Sequence, residues 1–179
     1  MAIRFEDLPH YTYDDYKIWE GKWELIYGIP YAMSPSPSFN HQTISNKIAR
    51  FLDEQLEKCE NCHAILPFDW KIADDTVVQP DNMVVCGKPE HNQFLTKAPE
   101  IIFEILSKSS ALKDRNTKFE IYQNEGVKYY IIVDQYDNAA KVYQLFQGKF
   151  VKQKDITKDN FHFELEDCQF DFDFSQIWP

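Results

Sequence analysis

Residues 77–110 read VVQPDNMVVCGKPEHNQFLTKAPEIIFEILSKSS. Two short apolar runs flank a polar loop, and each run carries one carboxylate. Asp81 follows Pro80, and Glu104 sits inside Ile101-Ile102-Phe103-Glu104-Ile105-Leu106. Residues two apart in a strand share a face, so Ile102, Glu104 and Leu106 point one way while Ile101, Phe103 and Ile105 point the other. Both faces are apolar apart from Glu104, the pattern of a central strand covered on both sides. A carboxylate there is strongly disfavoured unless it is paired, protonated or bound to a cation. Two such acids brought face to face would make a site for a hard cation. The competing reading of Glu104 is a structural ion pair with Lys118 or Arg115.

Pro80 cannot donate to a strand ladder, which predicts a bend that leaves Asp81 at a strand end. Downstream, Ser109 or Ser110 is the expected cap of a helix running from about Leu112 to Glu125 and stopped by Gly126. Asp114, Lys118 and Tyr122 fall at i, i+4 and i+8 on one stripe of that helix. Such spacing is commonly an exposed Asp–Lys pair, but this helix follows the Glu104 strand directly and can fold back over it. Val127–Val133 reads as another buried strand, and Ala140–Phe146, Phe150-Val151 and the alternating tail from Phe161 to Phe174 extend the β content.

Upstream, Trp23–Tyr27 alternates like a strand, and Gly28 with Pro30 turns it into a second strand, Tyr31–Met33. Glu24 shares a face with Ile26, so it either joins the buried acids or faces solvent from an edge strand. After the Ser/Pro loop at 34–38, a helix capped by Ser38 or Asn40 carries Ile44, Ile48, Phe51, Leu52 and Leu56 at helical spacing. His41 lies in its first turn, by default a capping or surface histidine and less often a group near phosphate or metal. Residues 64–68, 70–72 and 76–78 read as further strands. The elements alternate between the helical and the strand period, predicting a mixed α/β fold in a single domain over residues 1–179.

The chain of 179 residues is 44% hydrophobic and 16% aromatic, enough to fill a core. No apolar run reaches the length a membrane helix needs, and the N-terminal stretch lacks the apolar core of an export signal. A cytoplasmic location is the expectation, and with it four unpaired cysteines. Cys59-Glu-Asn-Cys62-His63 has the spacing of a haem attachment or of half a zinc site. Haem attachment needs export, which the N-terminal stretch does not suggest, and no second CxxC or His pair is available for zinc, so it reads as a chance match. The net charge of −10 opposes tight non-specific binding to nucleic acid. That charge is uneven, since residues 108–118 hold four basic residues and one acid.

Taken in order, Tyr13-Asp-Asp-Tyr16, WELIYGIPYAMSPSP, His41 ahead of an amphipathic helix, VQPD, PEIIFEILSKSS, Asp114-x3-Lys118-x3-Tyr122 and GVKYYIIVD resemble the Uma-two family. That family is grouped with restriction endonucleases in the PD-(D/E)XK nuclease superfamily. The resemblance spans roughly residues 11–146. It implies a restriction-endonuclease-like central mixed sheet flanked by helices, and a Mg2+- or Mn2+-dependent endonuclease acting on nucleic acid, with DNA the expected substrate. Asp81, Glu104 and the backbone carbonyl of Ile105 are the implied metal ligands. Asp81, Glu104 and Lys118 are the implied catalytic groups, Lys118 standing in for the superfamily lysine because Leu106 occupies its usual position. Glu24 matches an early acid of the family and is implied to face the metal. Asp114 would hold Lys118, Tyr122 or Gln79 would bond to substrate, and His41 completes the supporting set. The alternative is a nuclease fold that no longer cleaves and serves as a binding module. A homodimer is a further expectation by analogy, with the aromatic tail as its interface.

Overall fold

At Tyr27-Gly28 the chain reverses on two residues of positive φ, 51° and 75°. This is the backbone of a tight hairpin turn whose twist matches its strands. It joins β1 (Trp23–Ile26) to β2 (Ile29–Ala32). The computed structural model describes residues 7–33, 36–88, 92–108 and 116–179. A one-turn helix, α1 (Tyr13–Tyr16), precedes the hairpin. Its Tyr16 packs edge-on against Trp19, while Ile18 between them is 76% exposed.

After the hairpin comes α2 (Phe39–Leu56), capped by Ser38, whose hydroxyl accepts from the His41 amide. Its period-3.6 stripe buries Ile44, Ile48, Leu52 and Leu56, each contributing roughly 1.5–3 kcal/mol. Then follow β3 (Cys62–Ile65), β4 (Trp70–Ala73), β5 (Thr76–Val78), β6 (Asn82–Cys86) and β7 (Ile101–Ile105). Helix α3 (Thr117–Asn124) leads to β8 (Tyr129–Asp134), β9 (Ala139–Phe146) and β10 (Lys149–Ile156). The chain closes with β11 (Asn160–Glu164) and β12 (Gln169–Asp173).

The strands form a four-stranded sheet, β2-β1-β5-β4, a six-stranded sheet, β10-β9-β8-β7-β6-β3, and the pair β11-β12. Among the described strands only β7 and β8 pair in parallel, because α3 lies between them and carries the chain back, as a parallel pairing requires. All five residues of β7 are buried. Ile101, Phe103 and Ile105 join the core beneath α2, while Ile102 and Leu106 join the core beneath α3. The helix start assigned to Ser109, Ser110 or Leu112, and Asp114 with it, lies outside the described residues. Among the described residues no helix is long and apolar enough to cross a membrane.

Two expectations are overturned. All four cysteines are paired, Cys59 with Cys168 and Cys62 with Cys86. The antiparallel register sets Cys62 directly opposite Cys86, and the turn before β12 brings Cys168 to the end of α2. The C-terminal phenylalanines are not an exposed tail. Phe163, Phe170, Phe172 and Phe174 are buried against Phe103 and the α2 stripe, which removes the surface suggested for a dimer interface.

Candidate active site at the junction of two sheets

The segment Gln79-Pro80-Asp81 connects β5 of the small sheet to β6 of the large one. Acids from both sheets therefore meet beside it. Glu24 comes from β1, Asp81 from the connection and Glu104 from β7, while α3 presents Lys118 and Tyr122, one turn apart, to the same face.

Lys118 is the node. Its Nζ lies 2.7 Å from Glu24 Oε1 and 2.8 Å from Glu104 Oε1. All three side chains are nearly fully buried, at 3%, 0% and 3% exposure. The Tyr122 hydroxyl donates to Glu104 Oε1 at 2.7 Å, and the Gln79 amide donates to Glu24 Oε1 at 3.0 Å. Ammonium, hydroxyl and amide together offset the desolvation of two carboxylates, a cost a bare ion pair seldom recovers. Even so, this triad holds two negative charges against one positive. Burial holds the Tyr122 hydroxyl well above the ordinary tyrosine range, and the neighbouring Glu104 carboxylate adds to the shift. Tyr122 therefore stays a donor. It is fully buried, with Trp70 stacked at 5.8 Å, and its hydroxyl is engaged by Glu104.

Asp81 is half-buried. Its Oδ2 accepts from the Ile105 amide at 2.8 Å and lies 3.3 Å from His41 Nε2. The carboxylate is thus held against the peptide that follows Glu104. His41 owes its place to α2, one turn before Ser45, which exchanges two hydrogen bonds with the buried Asn82 next to Asp81.

Gln79 also turns inward, its side-chain amide donating to Asp69 at 3.0 Å. Asp69 accepts a second bond from the Tyr16 hydroxyl at 3.0 Å. Burial raises the Asp69 carboxyl above its ordinary value, against the pull of the Tyr16 and Gln79 hydrogen bonds. Desolvation, then the charge of Asp69, push Tyr16 far upward as well. The sequence assigns no role to Asp69, and marks Tyr16 only as part of the motif Tyr13-Asp-Asp-Tyr16. The available signal was an acid between Phe68 and Trp70, in the same kind of apolar setting that singled out Glu104.

The donor set suits a hard divalent cation, since carboxylate and carbonyl oxygens are its preferred ligands. Asp81 uses one oxygen for the Ile105 amide and His41, and its Oδ1 accepts no hydrogen bond among the described residues. Also among the described residues, no group of three or more His, Cys, Asp or Glu side chains gathers at metal-holding distance. A cation here would draw on two carboxylates, a backbone carbonyl, water and substrate, in the manner typical of Mg2+.

The family described as "Putative restriction endonuclease", Uma2, matches residues 13–168. The chain belongs to the Uma2 family. A Synechocystis relative, the uncharacterized protein sll1609, is 30% identical over 132 residues, which cover 69% of this chain and 72% of that one. The crystal structure of a "putative nuclease belonging to DUF820" from Anabaena variabilis superposes with a TM-score of 0.75. At 15% identity it covers 93% of this chain and 97% of its own, a likeness of fold. Within the Uma2 match lie all the acids of the junction, together with Lys118 and Tyr122.

Proposed function

We propose that this Uma2 protein is a metal-dependent nuclease that hydrolyses phosphodiester bonds, with DNA as its substrate. The observation that carries the reading is the convergence of three elements on the end of β7, where Lys118 reaches Glu104 and Asp81 accepts from the amide of the next residue, Ile105. Asp81, Glu104 and the carbonyl of Ile105 hold Mg2+ or Mn2+, and the net negative charge of the buried triad favours that cation. When bound, such an ion lowers the pKa of an attached water and offsets charge on the attacked phosphate. Tyr122 fixes the rotamer of Glu104, the Ile105 amide fixes Asp81, and His41 holds the outer side of Asp81. Lys118 pairs with Glu104 and supplies positive charge near the scissile group. The name of the family and that of the Anabaena neighbour both point the same way.

The Lys118–Glu104 contact favours one other reading, a module that binds without cutting, in which the lysine fills the place of the metal. Two measurements on the purified protein separate them: calorimetric titration with Mn2+, and gel assays of labelled DNA with Mg2+ or Mn2+. Cleavage by the wild type that is lost in Asp81→Asn and Glu104→Gln supports the nuclease. No ion binding below millimolar, with no cleavage, supports the module.

A further inference from the structure

Beside the candidate active site, the surface carries aromatic rings where a nucleic-acid-binding face commonly carries cations. Phe39, the first residue of α2, is 84% exposed, and Tyr136, in the turn after β8, is 60% exposed. Each immediately follows one member of a hydrogen-bonded pair, Ser38 Oγ donating to Gln135 Oε1 at 3.0 Å. Gln135 also donates to the carbonyl of Leu106, at the end of the Glu104 strand. Phe39 lies two residues before His41. The two rings therefore stand on elements tied to each other and to the strand that bears the catalytic glutamate. Across the junction, Tyr31 pairs with Glu24 on adjacent strands and is 37% exposed. Cross-strand partners share a face, so Tyr31 stands on the Glu24 side of its sheet. Exposing large aromatic side chains to water is unfavourable, and scattered single cases need no explanation. Two on elements tied by one hydrogen bond beside a buried acid cluster are a different matter.

Resting on the nuclease reading above, we infer that Phe39 and Tyr136, with Tyr31 opposite, form a stacking platform for unpaired bases. The substrate is then single-stranded or locally unpaired nucleic acid and not intact duplex. Base stacking on aromatic rings tolerates any sequence, because every base has a π-face, and it adds affinity that does not come from charge. That suits a protein with a net charge of −10, in which the overall charge opposes phosphate binding.

The test is fluorescence anisotropy of a labelled 20-nucleotide single strand and of the matching duplex, with Ca2+ in place of Mg2+ and over a range of salt. The variants are Phe39→Ala, Tyr136→Ala and, as a control, Phe146→Ala, an exposed ring at the β9–β10 turn. The expected result is tighter binding of the single strand than of the duplex. Phe39→Ala and Tyr136→Ala each weaken it by about 5- to 100-fold at every salt concentration, and Phe146→Ala changes nothing. Duplex preference, no nucleic-acid binding by the wild type, or equal binding by all variants overturns the platform. So does a wild-type dimer that Phe39→Ala dissociates. Cleavage assays on the same strands keep the two readings apart. A wild type that cuts DNA while Phe39→Ala and Tyr136→Ala bind and cut normally removes the platform and leaves the nuclease. Single-strand binding that needs both rings, without cleavage under any metal, leaves the platform and removes the nuclease.

Discussion

Lys118 Nζ lies 2.8 Å from Glu104 Oε1, fourteen residues apart along the chain, with both side chains out of water. Because Glu24 shares the same ammonium, this contact ties the small sheet, the large sheet and α3 at one point. Stability and the proposed chemistry consequently meet in one side chain.

Lys118→Met leaves Glu24 and Glu104 buried without their ammonium. Removing one partner of a buried pair costs about 3–5 kcal/mol, so chemical denaturation of this variant should shift to markedly lower denaturant. The double change Glu24→Gln with Lys118→Met should recover part of the loss, since one of the stranded charges is gone. A Lys118→Met protein as stable as the wild type would falsify the account of the triad.

Glu104→Gln keeps the volume of the side chain and an oxygen that accepts from Tyr122. Its folded state should survive with only a modest drop in melting temperature. Its Mg2+-dependent cleavage should fall by at least about 100-fold, the size typical of losing one charge-stabilising group. Asp81→Asn should behave likewise. Single-turnover cleavage with a thermal melt on the same preparations checks both halves.

Alkaline pH should unfold the protein through its buried tyrosines. Tyr122, Tyr16 and Tyr129 all have their ionisation raised, chiefly by burial. In the unfolded chain they ionise near the ordinary value of about 10, while in the folded protein they hold their protons. Their contribution is fully present below about pH 10 and is lost progressively as the pH rises towards the folded values. Denaturation followed from pH 8 to 12 should show stability falling above about pH 10, less steeply in Tyr122→Phe. A Tyr122→Phe protein that loses stability as steeply as the wild type above about pH 10 would contradict this.

The disulfides should matter unequally. Cys59–Cys168 closes a separation of 109 residues and Cys62–Cys86 one of 24. Restriction of the unfolded chain grows with loop length and amounts to about 3–5 kcal/mol for loops of these sizes. Calorimetry with and without reductant should show a clear fall in melting temperature. Cys168→Ser should account for the larger share, because it also frees the β11–β12 pair from the end of α2. A melting temperature indifferent to reductant would remove the cross-links as a source of stability.

The pattern IIFEIL was sufficient to identify a central strand buried on both faces and to single out Glu104, because side-chain direction alternates with a period of two and only one residue broke the apolar run. The α2 stripe was equally legible from its period. Pairings that depend on register were not. Four cysteines spread over residues 59–168 carry no sign of which strand will lie opposite which, and compartment reasoning gave the wrong answer. The alternating phenylalanines of the C-terminal strands announced β structure, but which core would cover them depended on where α2 and Phe103 stood. Tyr122 was recognised as part of the stripe with Lys118, yet its role turned on burial, which a helical stripe alone does not specify.

The local code therefore determined what was chemically costly: a carboxylate in an apolar strand, another after a proline, a lysine and a tyrosine one helical turn apart. Opening on residues 77–110, it located Asp81 and Glu104 and most of their neighbours. Only the tertiary structure decided how that cost was met. It drew Glu24 in from another sheet, set Lys118 between the two glutamates, and enlisted Gln79, Asp69 and Tyr16 behind them. Those contacts join residues far apart in the chain, and in a folded protein such distances are set by the packing of sheets and helices, which no local stretch encodes.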